Sequence, residues 1–463
     1  MRIEEFLIPK PGGDLKYECI GCCSSYPLDR FLYTCPQCGG LLRIEDSGFE
    51  RLLEVPPEGW REIFDRRRLL RIDALKGVFL FYELILPVVP LEDVLYLGEG
   101  QTPMVRANEE LSRWVGAPFQ IKYDGLNPSL SFKDRGMASA VTFVNYMIKR
   151  RGVERVLGIC ASTGDTSAAA ALYLAYLPRD RVYPVVLLPE GRVTPAQLSQ
   201  PLGSGALVIE IPGVFDDCMR IVEELAANYE VCLLNSKNPL RILGQKTYAY
   251  EVAQQLGWDT SGLVVVVPIG NAGNVVAIME GFLDLRRLRI IPELPVIIGV
   301  QSEHANPVAL WHRTGTYTPV DVKPSVAQAA MIGNPVSFPK VKKLVEEHYR
   351  ERFQVVEVTE DEIMEGMLVT NRHGHVVCTQ GGEAVAGLRK ALKEGIVDPQ
   401  GKTLVVKSTA HHLKFANFQQ MYFESGFPEG YRVNIREDLR NRPVKLPPSA
   451  EEIARFLGLE PRR

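Results

Sequence analysis

The sequence has no long hydrophobic run. Its most apolar early stretch, Gly77 to Leu97, is broken by Glu83, Pro87, Pro90, Glu92 and Asp93, whereas a membrane-spanning helix needs about 20 predominantly apolar residues. The opening MRIEEFLIPKPGG carries charges where a signal peptide would have its apolar core. Charge of one sign is also lacking: 53 basic and 56 acidic residues give a formal net charge of -3, so nothing predicts nucleic acid or an anionic membrane as a partner. A cytoplasmic chain with no nucleic-acid and no membrane partner is the expectation. No GxGxxG follows a strand and no GxxxxGK[ST] occurs, which removes the main support for a dinucleotide or P-loop reading. The seven histidines form no HExxH and no metal cluster.

What is present is ordinary globular material. The chain has 463 residues, 46% apolar and 24% charged, enough for two or three domains and a large core. The nine cysteines are unevenly placed, five of them between Cys19 and Cys38. Cys160, Cys218, Cys232 and Cys378 are scattered and are expected to be buried small apolar residues. Cys19, Cys22, Cys35 and Cys38 form CxxC–x12–CxxC. Four thiolates at this spacing suit a tetrahedral zinc ion, with each CxxC turn placing two sulfurs on one metal. Cys23, beside Cys22, is the less regular choice. An iron–sulfur cluster uses the same ligand set, and a degenerate ribbon without metal is the other alternative. A closed four-sulfur site has no position for substrate, so its role would be structural. Residues 1–45 are therefore expected to form a zinc ribbon and 46–95 a connecting segment. The charged run Arg61–Arg68 is expected to be a solvated helical face, with an anion or subunit contact as the alternative.

From Tyr96 the pattern is α/β. Short apolar runs recur at Val156–Ile159, Val182–Leu188, Leu207–Ile211, Val231–Leu234, Leu263–Val267, Val296–Val300, Phe353–Val358 and Leu404–Val406. Their lengths suit buried strands. Residues 214–226 space their apolar positions by three and four, as an amphipathic helix does. Alternating strands and helices imply parallel sheets covered on both faces, with ligands beyond the carboxyl ends of the strands. The tail after Tyr431 is charged and proline-rich, expected as an extended arm ending in a helix at Ser449–Leu457.

Polar loops stand at those strand ends: 161–167, 270–274 and 408–412. The first two open helices, where free backbone N–H groups make anion sites. A fourth loop, 125–137, leads Lys133 into the first turn of a helix. A cation there works against the helix dipole, which lowers the cost of losing its proton.

Taken together, these segments resemble the threonine synthases, a branch of the fold type II pyridoxal-phosphate enzymes. NPSLSFKDRG at 127–136 is similar to that family's NPTGSFKDRG cofactor-lysine motif. ASTGDTSAA at 161–169, AQLSQPLGSGA at 196–206, NSKNPLRILGQKT at 235–247, PIGNAGN at 268–274 and STAHHLKF at 408–415 follow in the family's order. The resemblance covers about residues 96–425 and looks most like the plant-type branch. It implies a two-lobed α/β enzyme: a large cofactor-binding lobe from 96–137 and 246–425, a small substrate-binding lobe from 138–245, and a C-terminal arm from 426–463.

The resemblance also implies roles. Lys133 would carry pyridoxal phosphate as a Schiff base, with Phe132 against it. Gly270, Asn271, Ala272, Gly273 and Asn274 would hold the cofactor phosphate. Thr409 would face the pyridine nitrogen, and Asp165 would approach the ring oxygen, a repulsive placement unless the carboxylate is protonated or turned away. Ser162, Thr166, Asn235, Ser236 and Arg241 would hold the phosphate of a phosphorylated amino-acid substrate. The implied reaction converts O-phosphohomoserine and water to threonine and inorganic phosphate, in a homodimer. Alternatives are a serine or threonine dehydratase, a phosphoserine-dependent synthase, or a zinc-ribbon interaction protein with an idle enzyme domain. Leu130 stands where the family commonly has glycine and is expected to impose a non-glycine backbone. His411 and His412, next to Thr409, are candidates for touching the site; His373 and His375 read as loop residues.

Overall fold

In a computed structural model the chain is described over residues 3–162, 164–190, 195–213 and 215–460. Thr163, within the first polar loop, and Val214, the first residue of the expected 214–226 helix, lie outside the described residues; the helix is seen as Phe215–Asn228. All eight apolar runs are strands. They are distributed over two sheets. The larger has six strands in the order Phe353–Val358, Val296–Ser302, Leu263–Pro268, Thr403–Ser408, Gln120–Tyr123 and Met104–Arg106. It is parallel except for the antiparallel Met104–Arg106 edge. The smaller has four parallel strands in the order Leu207–Ile211, Val182–Pro189, Val156–Ala161 and Val231–Leu233. The fold is thus mixed α/β, with strand–helix–strand crossovers as the pattern predicts.

The large sheet buries both faces, and the period-2 geometry of a strand decides which side chain serves which face. Val265 and Val267 join a core shared with the helices Lys133–Arg150, Pro239–Gln255 and Gly273–Arg287. Val264 and Val266 join a second core with Glu360–Arg372 and Thr379–Lys393. The first two of these helices cross closely because Gly244 has no side chain: a Cβ there would meet the Arg135 carbonyl oxygen at 1.8 Å. That crossing fixes the helix whose first residue is Lys133.

The N-terminal module is a three-stranded antiparallel sheet of Ser25–Pro27, Leu15–Cys19 and Leu42–Asp46. It is tied to both larger sheets' surroundings. Tyr33 donates to the Val231 carbonyl at 2.6 Å and accepts from the Leu233 N–H at 2.9 Å, while Lys340 donates to the Leu42 carbonyl at 2.7 Å.

Two sequence expectations are corrected here. The run Arg61–Arg68 is not simply a solvated face. Within the helix Pro57–Arg67, Trp60, Ile63 and Phe64 are buried, and so is Arg67. The Arg67 guanidinium makes a bidentate pair with Glu83, at 2.5 and 2.8 Å, and donates to the carbonyls of Phe6 and Leu80. Full use of its donors is what lets a cation be buried. Only Arg66 keeps a solvent-side i,i+4 pair, with Glu62. Secondly, Leu130 does not impose a non-glycine backbone. It adopts φ +67°, the left-handed conformation that glycine would occupy. Its N–H donates to Asn127 and its carbonyl accepts from His411, so the surrounding loops over-determine the strained residue.

Scattered Cys160, Cys218, Cys232 and Cys378 are all buried. Among the described residues no helix is long and apolar enough to cross a membrane. The arm ends in the helix Ala450–Leu457, capped by the Ser449 side chain.

Candidate active site

The carboxyl ends of strands from both sheets converge on one cleft, of about 630 Å³ counting its open mouth. The segment after Gln120–Tyr123 brings Phe132 and Lys133. Asp165 follows Val156–Ala161, Ser236 follows Val231–Leu233, and Gly270–Asn274 follow Leu263–Pro268. Thr409 follows Thr403–Ser408, and Arg241 enters from the helix Pro239–Gln255. This is the position in which parallel sheets bind ligands.

Lys133 is the first residue of its helix, with Nζ 4.4 Å from the centre of the Phe132 ring. Burial, reinforced by the nearby Arg241 cation, pulls the Lys133 pKa down to about 7. A substantial fraction of its amine is therefore neutral and nucleophilic at neutral pH. The next residue, Asp134, turns inward and accepts from the Ser129 N–H at 2.7 Å. Burial pushes its carboxyl up to about 7.

Opposite in character is the loop that opens the helix Gly273–Arg287. Ala272, the residue before it, has φ +63°, and no side chain caps the helix start. Its first-turn N–H groups and the helix dipole favour an anion. Both side-chain polar atoms of Asn274 are buried without a partner, which points to a polar group that the cleft is built to receive. Asn271 also lines the cleft, but its Oδ1 accepts from Val336 at 3.4 Å and its carbonyl from Ser337 at 3.1 Å.

Arg241 is buried. One nitrogen donates to the Leu234 carbonyl at 3.0 Å, and Nε has no partner. Among the described residues no carboxylate forms an ion pair with it. Burial lowers its pKa to about 10, yet a guanidinium keeps its charge at neutral pH. A buried cation without a counter-charge is costly, and an anionic ligand would offset that cost.

The structure does not bring every candidate to the cleft. Asn235 commits its amide to Ala161, accepting from its N–H at 2.9 Å and donating to its carbonyl at 2.6 Å; it joins two strand ends rather than facing ligand space. Ser162 does not line the cleft; its hydroxyl accepts from the Gly164 N–H at 3.3 Å. Thr166, in the first turn of Asp165–Ala175, does not line the cleft. Neither do His411 and His412. Gln380, Gln245, Ala329 and Ala330 line it and were not singled out from sequence. Thr409 faces the cleft with its hydroxyl 3.7 Å from the Cys378 sulfur, and its carbonyl accepts from Phe132 N–H.

The four cysteines of the N-terminal module gather their sulfurs within 4.8 Å of one another. Two of the separations are 3.5 Å, near the roughly 3.8 Å edge of a tetrahedron with ~2.3 Å zinc–sulfur bonds. A Cβ on Gly40 would meet the sulfurs of Cys19 and Cys38 at 3.1 and 3.2 Å, so the knuckle needs glycine there. Cys23 is not part of the cluster.

An amine-bearing lysine and an uncapped helix start, facing each other between two α/β sheets, define a fold type II pyridoxal-phosphate enzyme. The family model described as "Pyridoxal-phosphate dependent enzyme" matches residues 95–408. Within that family the chain belongs to the threonine synthases. It is 39% identical to the threonine synthase of Methanocaldococcus jannaschii over 400 residues, 86% of this chain and 92% of that one. It is 34% identical to the chloroplastic threonine synthase 2 of Arabidopsis thaliana, over 91% of this chain and 80% of that one. Among solved structures, threonine synthase from Escherichia coli superposes with a TM-score of 0.63 at 22% identity, covering 92% of this chain and 94% of that one. Pyridoxal-phosphate-bound threonine synthase from Brucella melitensis gives 0.62 at 20% identity, covering 87% and 90%. At such identities the solved structures speak for the fold.

Proposed function

We propose that this chain converts O-phosphohomoserine and water to threonine and inorganic phosphate, using pyridoxal phosphate held in the cleft. One observation carries the reading: one cleft is lined by two separate groups suited to anions and by one near-neutral lysine. The helix start at Gly270–Asn274 is suited to the cofactor phosphate, and the unpaired Arg241, with Ser236, to the phosphate that leaves the substrate.

The residues present fit the cofactor, since Asn274 has two unsatisfied atoms and Lys133 an amine able to attach it. When bound, it supplies the electron sink that makes the carbon–hydrogen bonds of an attached amino acid acidic. Lys133 is the residue able to take up and return protons at the substrate, because a pKa near the working pH serves both directions. Phe132 gives the cleft an apolar wall. Thr409 offers a neutral hydroxyl, which can donate or accept and does not force protonation of a ring nitrogen as a carboxylate would. Arg241 binds departing phosphate through its planar fork. Asn235 serves this site indirectly, by holding the Ala161 strand end.

Zinc on Cys19, Cys22, Cys35 and Cys38 would be structural, since four protein sulfurs leave no open position. We take the working unit to be a homodimer.

The test is a substrate panel of O-phosphohomoserine, O-phosphoserine, serine and threonine, with amino-acid, ketoacid and phosphate products measured. Threonine and phosphate formed at equal rates from O-phosphohomoserine support the reading. Use of phosphoserine alone, or ketoacid from unphosphorylated serine or threonine as the main product, would replace it with a related activity.

A further inference from the structure

Beyond the strand Thr403–Ser408 the chain reaches Lys414, whose side chain is 11% exposed. Its ammonium holds three acceptors from three separate segments. They are Asp165 Oδ1 at 3.3 Å, the Ser129 carbonyl at 3.0 Å and Gln200 Oε1 at 2.5 Å. Asp165 opens a helix of the small-sheet region, Gln200 lies in the helix Pro195–Gly203, and Ser129 belongs to the loop before Lys133. Asp165 is itself buried and lines two cavities, the main cleft and a second one walled by Leu130, Gln200, Lys414 and Phe415. Among the described residues it is the one that the two linings share.

A buried carboxylate beside an anionic ligand needs a lasting counter-charge. Lys133 cannot provide one, because its amine is the reactive group. Arg241 faces the other anion site. Lys414 is the remaining cation in contact with Asp165 among the described residues; Asp134, whose carboxyl burial pushes up and Lys414 pulls down, lies nearby but forms no ion pair with it.

We propose that Lys414 is the positioning residue for Asp165. It neutralises the carboxylate and fixes it in the wall that the two cavities share, so that pyridoxal phosphate meets a neutral pair and not a free negative charge. This rests on the cofactor reading above. It predicts that the need for Lys414 disappears when Asp165 carries no charge.

The experiment is a double-mutant cycle of Lys414→Gln and Asp165→Asn, with Lys414→Arg as the charge-keeping control. The readouts are the dissociation constant of the cofactor-free protein for pyridoxal phosphate and the absorption spectrum of the bound cofactor. With Asp165 present, K414Q should weaken binding by about tenfold or more, the scale of a lost charge-assisted contact. In the D165N background the same change should cost under about threefold, and K414R should stay near wild type. Equal losses in both backgrounds would overturn the proposal, since Lys414 would then act only as a brace on Ser129 and Gln200. No loss in either background would overturn it as well. If K414Q does not fold, recovery of folding in K414Q/D165N reports the same coupling, and failure of both identifies the brace. Wild-type protein that takes up no pyridoxal phosphate would instead remove the cofactor reading itself.

Discussion

The Nζ of Lys407 lies 2.8 Å from Oδ2 of Asp124, and both side chains are fully buried. Asp124 also pairs with Arg135, and Arg135 and Lys122 pair with Glu251, all without exposure. Three cations thus share two carboxylates directly behind Phe132, whose ring centre is 5.0 Å from Lys407 Nζ. The cations hold the Asp124 carboxyl well below the usual range, while burial pulls Lys407 down to about 8.

Breaking this network by removing one partner should be expensive. Asp124→Asn leaves Lys407 without a carboxylate and Arg135 with one fewer. A loss of about 3–5 kcal/mol is expected, typical of an uncompensated buried charge. Urea unfolding of the cofactor-free protein checks it; a change below about 1 kcal/mol would mean that the network is internally redundant.

Cofactor uptake should follow the protonation of Lys133. Only the neutral amine attacks a carbonyl, and the Lys133 pKa is lowered from that of a free lysine to about 7. The uptake rate of cofactor-free protein should therefore rise with pH through about 7 and level off above about 8. A rate still climbing at pH 10 would show that burial and Arg241 do not act on this amine. Lys133→Ala should abolish turnover while leaving the fold intact.

Arg241→Ala should separate the two anion sites. Phosphorylated substrate should bind about 30-fold or more weakly, the equivalent of roughly 2 kcal/mol or more for a lost charge-assisted contact. The spectrum of bound cofactor should not change. Steady-state kinetics and absorbance on the same preparation read both. Loss of the cofactor spectrum would assign Arg241 to the cofactor side instead.

The zinc reading is checked by metal analysis of protein purified without chelator. About one zinc per chain is expected, and the C35S/C38S protein should lose it and become less stable. Full retention of zinc in that variant would remove the assignment.

Local patterns in the sequence determined a great deal. The eight apolar runs became strands because a strand buried on both faces must be apolar along its length. The CxxC pairs, the Lys133 helix start and the 270–274 loop are each contained in a few consecutive residues, so their chemistry was readable before any fold. Gln120–Tyr123 escaped notice because Lys122 makes it look polar. That lysine is buried only because Glu251, 129 residues away, neutralises it. The same reason explains the rest. Arg67 is buried by virtue of Glu83, Asn235 is turned from the cleft by Ala161, and Asp165 is held by Lys414. Whether a charged or amide side chain faces solvent, ligand or core depends on a partner supplied by a distant segment. Only the tertiary structure decides that, because the cost of burying a polar group is set by what it meets and not by its neighbours in the chain.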